Sequence, residues 1–369
     1  MSGAAQPPMQ ARGGEPEGRV DSRAYAALDL GTNNCRLLIA SPTPRGFRVL
    51  EAFSRIVRLG DGLAHTGRLD AAAMERALAA LKICADRIRR RDIPHVRCVA
   101  TQACRSAANG PDFIARVEAE TGLKLAIISP KEEARLSVAG CVGLLDRDCD
   151  AALVVDVGGG STELSWIDVG ELRFDPLRRP PHPARLPIKA WLSIPIGVVT
   201  LADRFPEQGE GREAWFRNMV EEVKSAIAKF DGARELEPVF REDRAHLIGT
   251  SGAITSLAGL HLGLPRYERA KVDGLWMTRL DCEAAAAKLM AMTAAERAAQ
   301  PCIGPDRADL VLAGAAILQA VHELWPCSRV RVADRGLREG LLMSLMCKPP
   351  RRRRRARRFG QLAAAGHSS

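Results

Sequence analysis

Two segments of the chain set an aspartate near the end of an apolar run, one residue ahead of glycine and small polar side chains. They are Tyr25-Ala-Ala-Leu-Asp29-Leu-Gly31-Thr32-Asn33-Asn34 and Ala151-Ala-Leu-Val-Val-Asp156-Val-Gly158-Gly159-Gly160-Ser161-Thr162-Glu163. Glycine at such a turn lets backbone N–H groups face an anion with no Cβ in the way. Thr32, Asn33, Ser161 and Thr162 add side-chain donors. An aspartate beside phosphate-binding amides would repel the ligand unless a cation stood between them. Mg²⁺ fills that place well, since it prefers carboxylate and water oxygens. A third turn, Ile248-Gly249-Thr250-Ser251-Gly252-Ala253, follows a strand and opens a helix, where free N–H groups suit an anion or a nucleotide. The chemistry implied is phosphate handling with a hard divalent cation.

Other phosphate-handling devices lack their fingerprints. There is no Walker A sequence and no G-x-G-x-x-G. A C-x5-R nucleophile fails as well, because Cys98 has Cys104 at that spacing and Arg105 falls one residue later. The ten cysteines form no C-x-x-C pair, so they read as small buried hydrophobes in a reducing compartment. His65, His95, His182, His246, His261 and His322 show no metal-ligand spacing.

The elements that must position these turns can be read from periodicity. Strand, turn and strand cover residues 25–40, with a third strand at 47–53. A helix spans 70–91, with Met74, Ala77, Leu78, Leu81, Cys84 and Ile88 at helical spacing. Strand (96–100), helix (111–121), strand (124–129) and helix (130–145) follow, Pro130 standing where a first-turn proline is tolerated. The cycle then restarts with strands at 151–157 and 161–167, and residues 175–187 form a Pro/Arg-rich loop. Helices are expected near 212–229, 251–261, 280–292, 306–325 and 337–346, with strands at 245–248 and 329–332. The two halves begin with one device, 127 residues apart from Asp29 to Asp156. A duplicated α/β domain with the cleft between its copies is the economical reading. The boundaries are a disordered leader at 1–23, domain I at 24–130, domain II at 131–334 and an Arg-rich tail at 348–369. The last helix, about 335–347, is free to pack back on domain I.

Bulk properties agree with a globular, two-domain protein. The chain has 369 residues, 46% of them apolar. The best apolar run, Leu310 to Ile317, is far short of a membrane span. The N-terminal residues lack an apolar core of the secretory type, so a cytoplasmic location is expected. The net charge of +10 is uneven: Lys348, Arg351, Arg352, Arg353, Arg354, Arg355, Arg357 and Arg358 supply eight positive charges, leaving about +2 for everything before them. That argues against a basic nucleic-acid groove. Nucleic acid, or another polyanion, would be met only through the Arg-rich tail.

The chain resembles the exopolyphosphatase / guanosine pentaphosphate phosphohydrolase (Ppx/GppA) family, within the actin/hexokinase/Hsp70 superfamily. The likeness runs from about residue 25 to 347 and rests on seven elements in family order. These are Asp29–Asn34, Arg58-Leu-Gly-Asp-Gly-Leu63, Ala100-Thr-Gln-Ala-Cys-Arg105-Ser-Ala-Ala-Asn109, Ser129-Pro-Lys-Glu-Glu133-Ala-Arg-Leu136, Val155–Leu164, Ile248–Thr255 and Gly336-Leu-Arg-Glu-Gly-Leu-Leu342. It implies duplicated actin-like (ribonuclease H-like) α/β domains with an interdomain active-site cleft. It implies Glu133 as the water-activating residue, Arg105 as the catalytic arginine, and Asp156, Glu163 and neighbouring Asp29 as the Mg²⁺ site. Phosphate contacts would fall on Gly31, Thr32, Asn33, Gly158, Gly159, Gly160, Ser161, Thr162, Gly249, Ser251 and Gly252. Thr32-Asn33-Asn34 replaces the commoner Ser-Asn-Ser and keeps its hydrogen-bonding capacity. With no His-Asp dipeptide, the chain reads as a short form without the C-terminal HD-type domain of longer members.

The expected activity is Mg²⁺-dependent removal of the terminal phosphate of inorganic polyphosphate. Guanosine pentaphosphate, as substrate of a stringent-response nucleotide hydrolase, is the first alternative. A superfamily kinase would need an acceptor pocket and leave Glu133 without a task. A non-catalytic polyanion-binding regulator would have no use for Glu133, Asp156 and Glu163 together. No membrane partner is expected, and a homodimer is an assembly left open.

Overall fold

A computed structural model describes residues 24–44, 46–172, 185–207 and 211–346. The leader 1–23, most of the 175–187 loop and the Arg-rich tail lie outside the described residues.

The first lobe is built on five strands: β1 (Tyr25–Leu30), β2 (Asn34–Thr43), β3 (Gly46–Ile56), β4 (His95–Ala100) and β5 (Leu125–Ile127). Their order is β3-β2-β1-β4-β5, with β1, β4 and β5 parallel and the β1–β2–β3 meander antiparallel. Helix Ala71–Arg90 covers one face with Ala73, Ala77, Leu78, Leu81, Cys84 and Ile88, and the Asp70 side chain caps its start by accepting from Ala73 N–H. Helix Gly110–Thr121 follows on the same face and stops at Gly122, which takes the left-handed conformation.

The second lobe repeats the plan with β6 (Ala151–Val157), β7 (Thr162–Asp168), β8 (Ile188–Ile194), β9 (Ala245–Thr250), β10 (Trp276–Thr278) and β11 (Arg329–Ala333). The order is β10-β11-β9-β6-β7-β8, so β6 stands where β1 stands in the first lobe. β6 is central and covered on both faces, which is why Ala-Ala-Leu-Val-Val reads as one apolar run. Helices Arg212–Ile227, Gly252–His261 and Val311–Leu324 bury their apolar stripes in the large core of this lobe. The chain thus has the duplicated actin-like α/β fold.

Two helices lie between the sheets and join the lobes. Pro130–Cys141 starts at Ser129, whose hydroxyl accepts from Glu132 N–H, and its Leu136 packs with Ala27, Val99 and Ile128 of the first lobe. Its Val138 and Cys141 pack instead with Ala152, Val154 and Ile167 of the second. The last helix, Leu337–Met346, adds Leu341 and Leu342 to the first-lobe cluster and Met343 to the second. The two helices cross with backbones nearly touching: a Cβ on Gly340 would sit 1.9 Å from the Leu136 carbonyl oxygen, and one on Gly140 2.0 Å from that of Gly336. Only glycine permits this approach.

The structure departs from the expectation in several places. The helix starting at Pro130 ends at Cys141 and tightens into a 3-10 turn over Val142–Leu144. The helix expected from 306 starts at Val311, behind a separate 3-10 turn at Pro305–Arg307. Strand β8 and helix Val198–Arg204 had no counterpart in the periodicity reading.

Candidate active site

The cleft between the lobes encloses about 510 Å³ and is lined by the turns after β1, β6 and β9. Strand register explains how its carboxylates arise. Asp156 lies opposite Glu163 across β6–β7, while the matching position of the first lobe puts Arg36 opposite Asp29. The duplication therefore gives one lobe a pair of acids and the other an acid and a base.

Asp29, Glu133, Asp156 and Glu163 all line this cleft. Burial pushes Asp29 up to about 6, and the negative charge of Asp156 adds to the rise. Burial, then Asp156, pushes Glu163 up to about 7. Burial also lifts Asp156, opposed by a hydrogen bond from Ser137. Glu133 is raised well above the usual carboxylate range by burial and by Glu163, while Arg105 pulls the other way. The cause throughout is low dielectric with like charges close together.

Glu133 stands in the first turn of Pro130–Cys141 and is 8% exposed. Arg105 Nη1 donates to its Oε2 at 3.1 Å and to the Ile128 carbonyl at 2.7 Å, and Nη2 bonds Gln102 Oε1 at 2.6 Å. Arg105 thus stands behind Glu133, held at both ends of its guanidinium.

The two glycine turns meet face to face. A Cβ on Gly159 would lie 3.1 Å from the Asn33 nitrogen and the Thr32 Cβ, and one on Gly160 2.7 Å from Thr32 Oγ1. Gly31 N–H closes its turn on the Asn34 carbonyl and Gly158 N–H on that of Ser161. The Arg58–Leu63 segment braces the first turn, with Val57 N–H and Arg58 N–H donating to the Asn33 carbonyl and Gly60 N–H to that of Thr32. Arg58 also crosses the cleft to Asp309 at 3.0 Å.

Gly31, Thr32, Asn33, Gly158, Gly159, Gly160, Ser161, Ser251 and Gly252 all line the cleft. Two of the expected phosphate contacts do not. Thr162 is fully buried and donates its hydroxyl to the Ile196 carbonyl at 2.7 Å. Gly249 lies within β9, where a Cβ would meet Ile254 at 2.9 Å. Sequence reasoning also missed four arginines on the cleft wall, Arg36, Arg307, Arg335 and Arg338. Arg335 pairs with Asp273, whereas the other three make no ion pair within 4 Å among the described residues, and burial pulls the Arg338 guanidinium down. Single arginines in a chain with 54 basic residues carry no sequence signal.

Residues 38–348 match the model of the Ppx/GppA phosphatase family. The chain belongs to this family. Its fold is similar to that of an exopolyphosphatase-like protein at 30% identity and TM-score 0.74, covering 87% of this chain and 98% of that one. It is similar to the Aquifex aeolicus Ppx/GppA family member at 28% identity and TM-score 0.67, covering 87% and 97%. An exopolyphosphatase from Cytophaga hutchinsonii matches at 25% identity and TM-score 0.75, covering 88% and 98%. This Ppx/GppA phosphatase is accordingly a phosphohydrolase. No described helix is long and apolar enough to cross a membrane.

The acids of this Ppx/GppA site fit a hard cation. Asp29 Oδ1 is buried with no hydrogen-bond partner, and the carboxylates raise one another. Among the described residues, no three His, Cys, Asp or Glu side chains close into a metal cage. Mg²⁺ is commonly held by one or two carboxylates together with water and phosphate oxygens.

Proposed function

We propose that this phosphatase is an exopolyphosphatase that releases orthophosphate from the end of inorganic polyphosphate, with Mg²⁺ as cofactor. The observation that carries the reading is the buried Glu133, raised above the usual carboxylate range and backed by Arg105, in a cleft that Arg36, Arg307 and Arg338 also line. A carboxylate with a raised pKa is a competent proton acceptor near pH 7. Glu133 takes a proton from water as the water oxygen bonds to the terminal phosphorus. The bridging P–O bond breaks, and the shortened chain leaves as the anion. Arg105, bonded to Glu133 Oε2 at 3.1 Å, favours the ionised form of that carboxylate against the effect of burial. The glycine turns hold the chain in line with the water, and Arg36, Arg307 and Arg338 neutralise phosphates farther along. Asp156 and Glu163, with Asp29 beside them, would hold Mg²⁺, which when bound supplies positive charge to the phosphate oxygens. All nine described cysteines are buried and free of disulfides, which fits a cytoplasmic setting.

A second reading, cleavage of guanosine pentaphosphate to the tetraphosphate, is favoured by the reach of the cleft past Gly252 to Tyr267 and Ile303. That recess could take a base. Phosphate release measured in parallel on long polyphosphate, tripolyphosphate and guanosine pentaphosphate with Mg²⁺ tests the proposal. Turnover of long polyphosphate well above the others supports it. Selective turnover of the nucleotide would replace it with the second reading.

A further inference from the structure

Ser137 lies one helical turn beyond Glu133 on Pro130–Cys141 and is 1% exposed. A serine inside a helix commonly turns its hydroxyl back to the carbonyl four residues earlier. This one donates to Asp156 Oδ2 instead. No other described side chain hydrogen-bonds Asp156; the charged groups around it, Arg36, Glu339, Asp29, Glu133 and Glu163, act on it through charge alone. Space for the hydroxyl comes from Gly336, where a Cβ would lie 3.3 Å from Ser137 Oγ. The one other hydroxyl beside Gly336, that of Thr250, is committed to the Arg335 carbonyl at 2.7 Å.

The helix bearing Ser137 is itself fixed. Its backbone is jammed against the last helix at Gly140 and Gly340. Arg97, bonded to Ser344 at 2.8 Å on the last helix, pairs with Glu132 in its first turn. Glu163 is held differently, by Ser193 Oγ at 2.9 Å from the neighbouring strand. Asp156 alone takes its orientation from the helix that also carries Glu133.

We propose that Ser137 is a positioning residue for Asp156. By occupying Oδ2 it turns Oδ1 toward the cleft as the oxygen offered to a divalent cation. It also sets that oxygen in a fixed relation to the proton acceptor one turn earlier on the same helix. The inference rests on the reading of Asp156 as a cation ligand. Hydrogen-bond partners of metal ligands typically change metal affinity or activity 10- to 100-fold when removed.

The test is calorimetric titration of Mn²⁺ into the substrate-free full chain, alongside thermal melts, for wild type, Ser137→Ala, Ser137→Thr and Asp156→Asn. Ser137→Ala is expected to bind Mn²⁺ about tenfold or more weakly. Ser137→Thr, which keeps the hydroxyl, is expected to bind within a few-fold of wild type, and Asp156→Asn more weakly than either. Wild-type affinity in Ser137→Ala overturns the inference, as does a lowered melting temperature with unchanged affinity, which is what a packing role would give. Ser137→Thr binding as weakly as Ser137→Ala while melting with wild type overturns it too. If Asp156→Asn also binds as wild type, the cation is held elsewhere, and the metal reading falls together with the inference.

Discussion

Replacing Asp29 by asparagine should stabilise the cation-free protein at alkaline pH. Asp29 Oδ1 is buried without a hydrogen-bond partner, and its carboxyl is held at about 6 against an ordinary value of 3.8. A carboxyl raised in the folded state supports folding fully below its unfolded value, and that support is lost as pH rises through the folded one. The window for Asp29 is therefore about pH 4 to 6, and the loss amounts to roughly 3 kcal/mol, taking 1.36 kcal/mol per tenfold change in proton affinity. Glu163, raised from 4.5 to about 7, adds a loss of similar order extending to neutral pH. Cation-free protein should thus melt at a lower temperature at pH 8 than at pH 4, the lower edge of that window. Asp29→Asn should recover several degrees at pH 8 and little at pH 4. Mg²⁺ should raise the wild-type melting temperature more at pH 8, where the carboxylates are ionised. Scanning calorimetry at both pH values, with and without Mg²⁺, reads all three effects. An Asp29→Asn protein less stable than wild type at pH 8 would refute the reasoning, since it would mean that the Asp29 charge is satisfied in the fold.

Gly159→Ala should cut phosphate release about tenfold or more with an unchanged melting temperature, because its Cβ would press on the Asn33 backbone at 3.1 Å and small misplacements near the phosphates are costly. Steady-state kinetics beside a thermal melt checks it, and wild-type kinetics would show that the two turns separate freely. Truncation after Cys347 should weaken long-chain polyphosphate binding while leaving tripolyphosphate turnover nearly intact. If about five tail charges engage, log affinity should fall with log salt at a slope near −3.5, about 10² between 50 and 200 mM, and truncation should flatten that slope. An unchanged slope would show that the tail does not guide the substrate.

The strand-end aspartates and their glycine turns were legible because the fold needs them there: β1 and β6 are central strands, and the polar turn begins where apolar cover stops. Which neighbours face the cleft was not legible. Thr162 follows Ser161 in sequence, but side chains alternate along a strand, so Glu163 enters the cleft while Thr162 turns inward to Ile196. Gly249 was taken for part of the turn because the expected strand stopped at Ile248, whereas β9 runs on to Thr250. Strand β8 escaped notice because Ile188-Lys-Ala-Trp-Leu-Ser-Ile mixes exposed and buried positions without clean alternation and follows a Pro/Arg-rich stretch. Arg36, Arg338 and Ser137 owe their places to register and helix crossing, which only the assembled lobes reveal.

Glu133→Gln tests the central claim most directly, because it keeps the size of the side chain and its place against Arg105 while removing the proton acceptor. Orthophosphate release from long polyphosphate at saturating Mg²⁺ should fall by about 10² to 10⁴. Polyphosphate binding, measured on the same protein by titration, should persist. Near-normal release by Glu133→Gln would contradict the account.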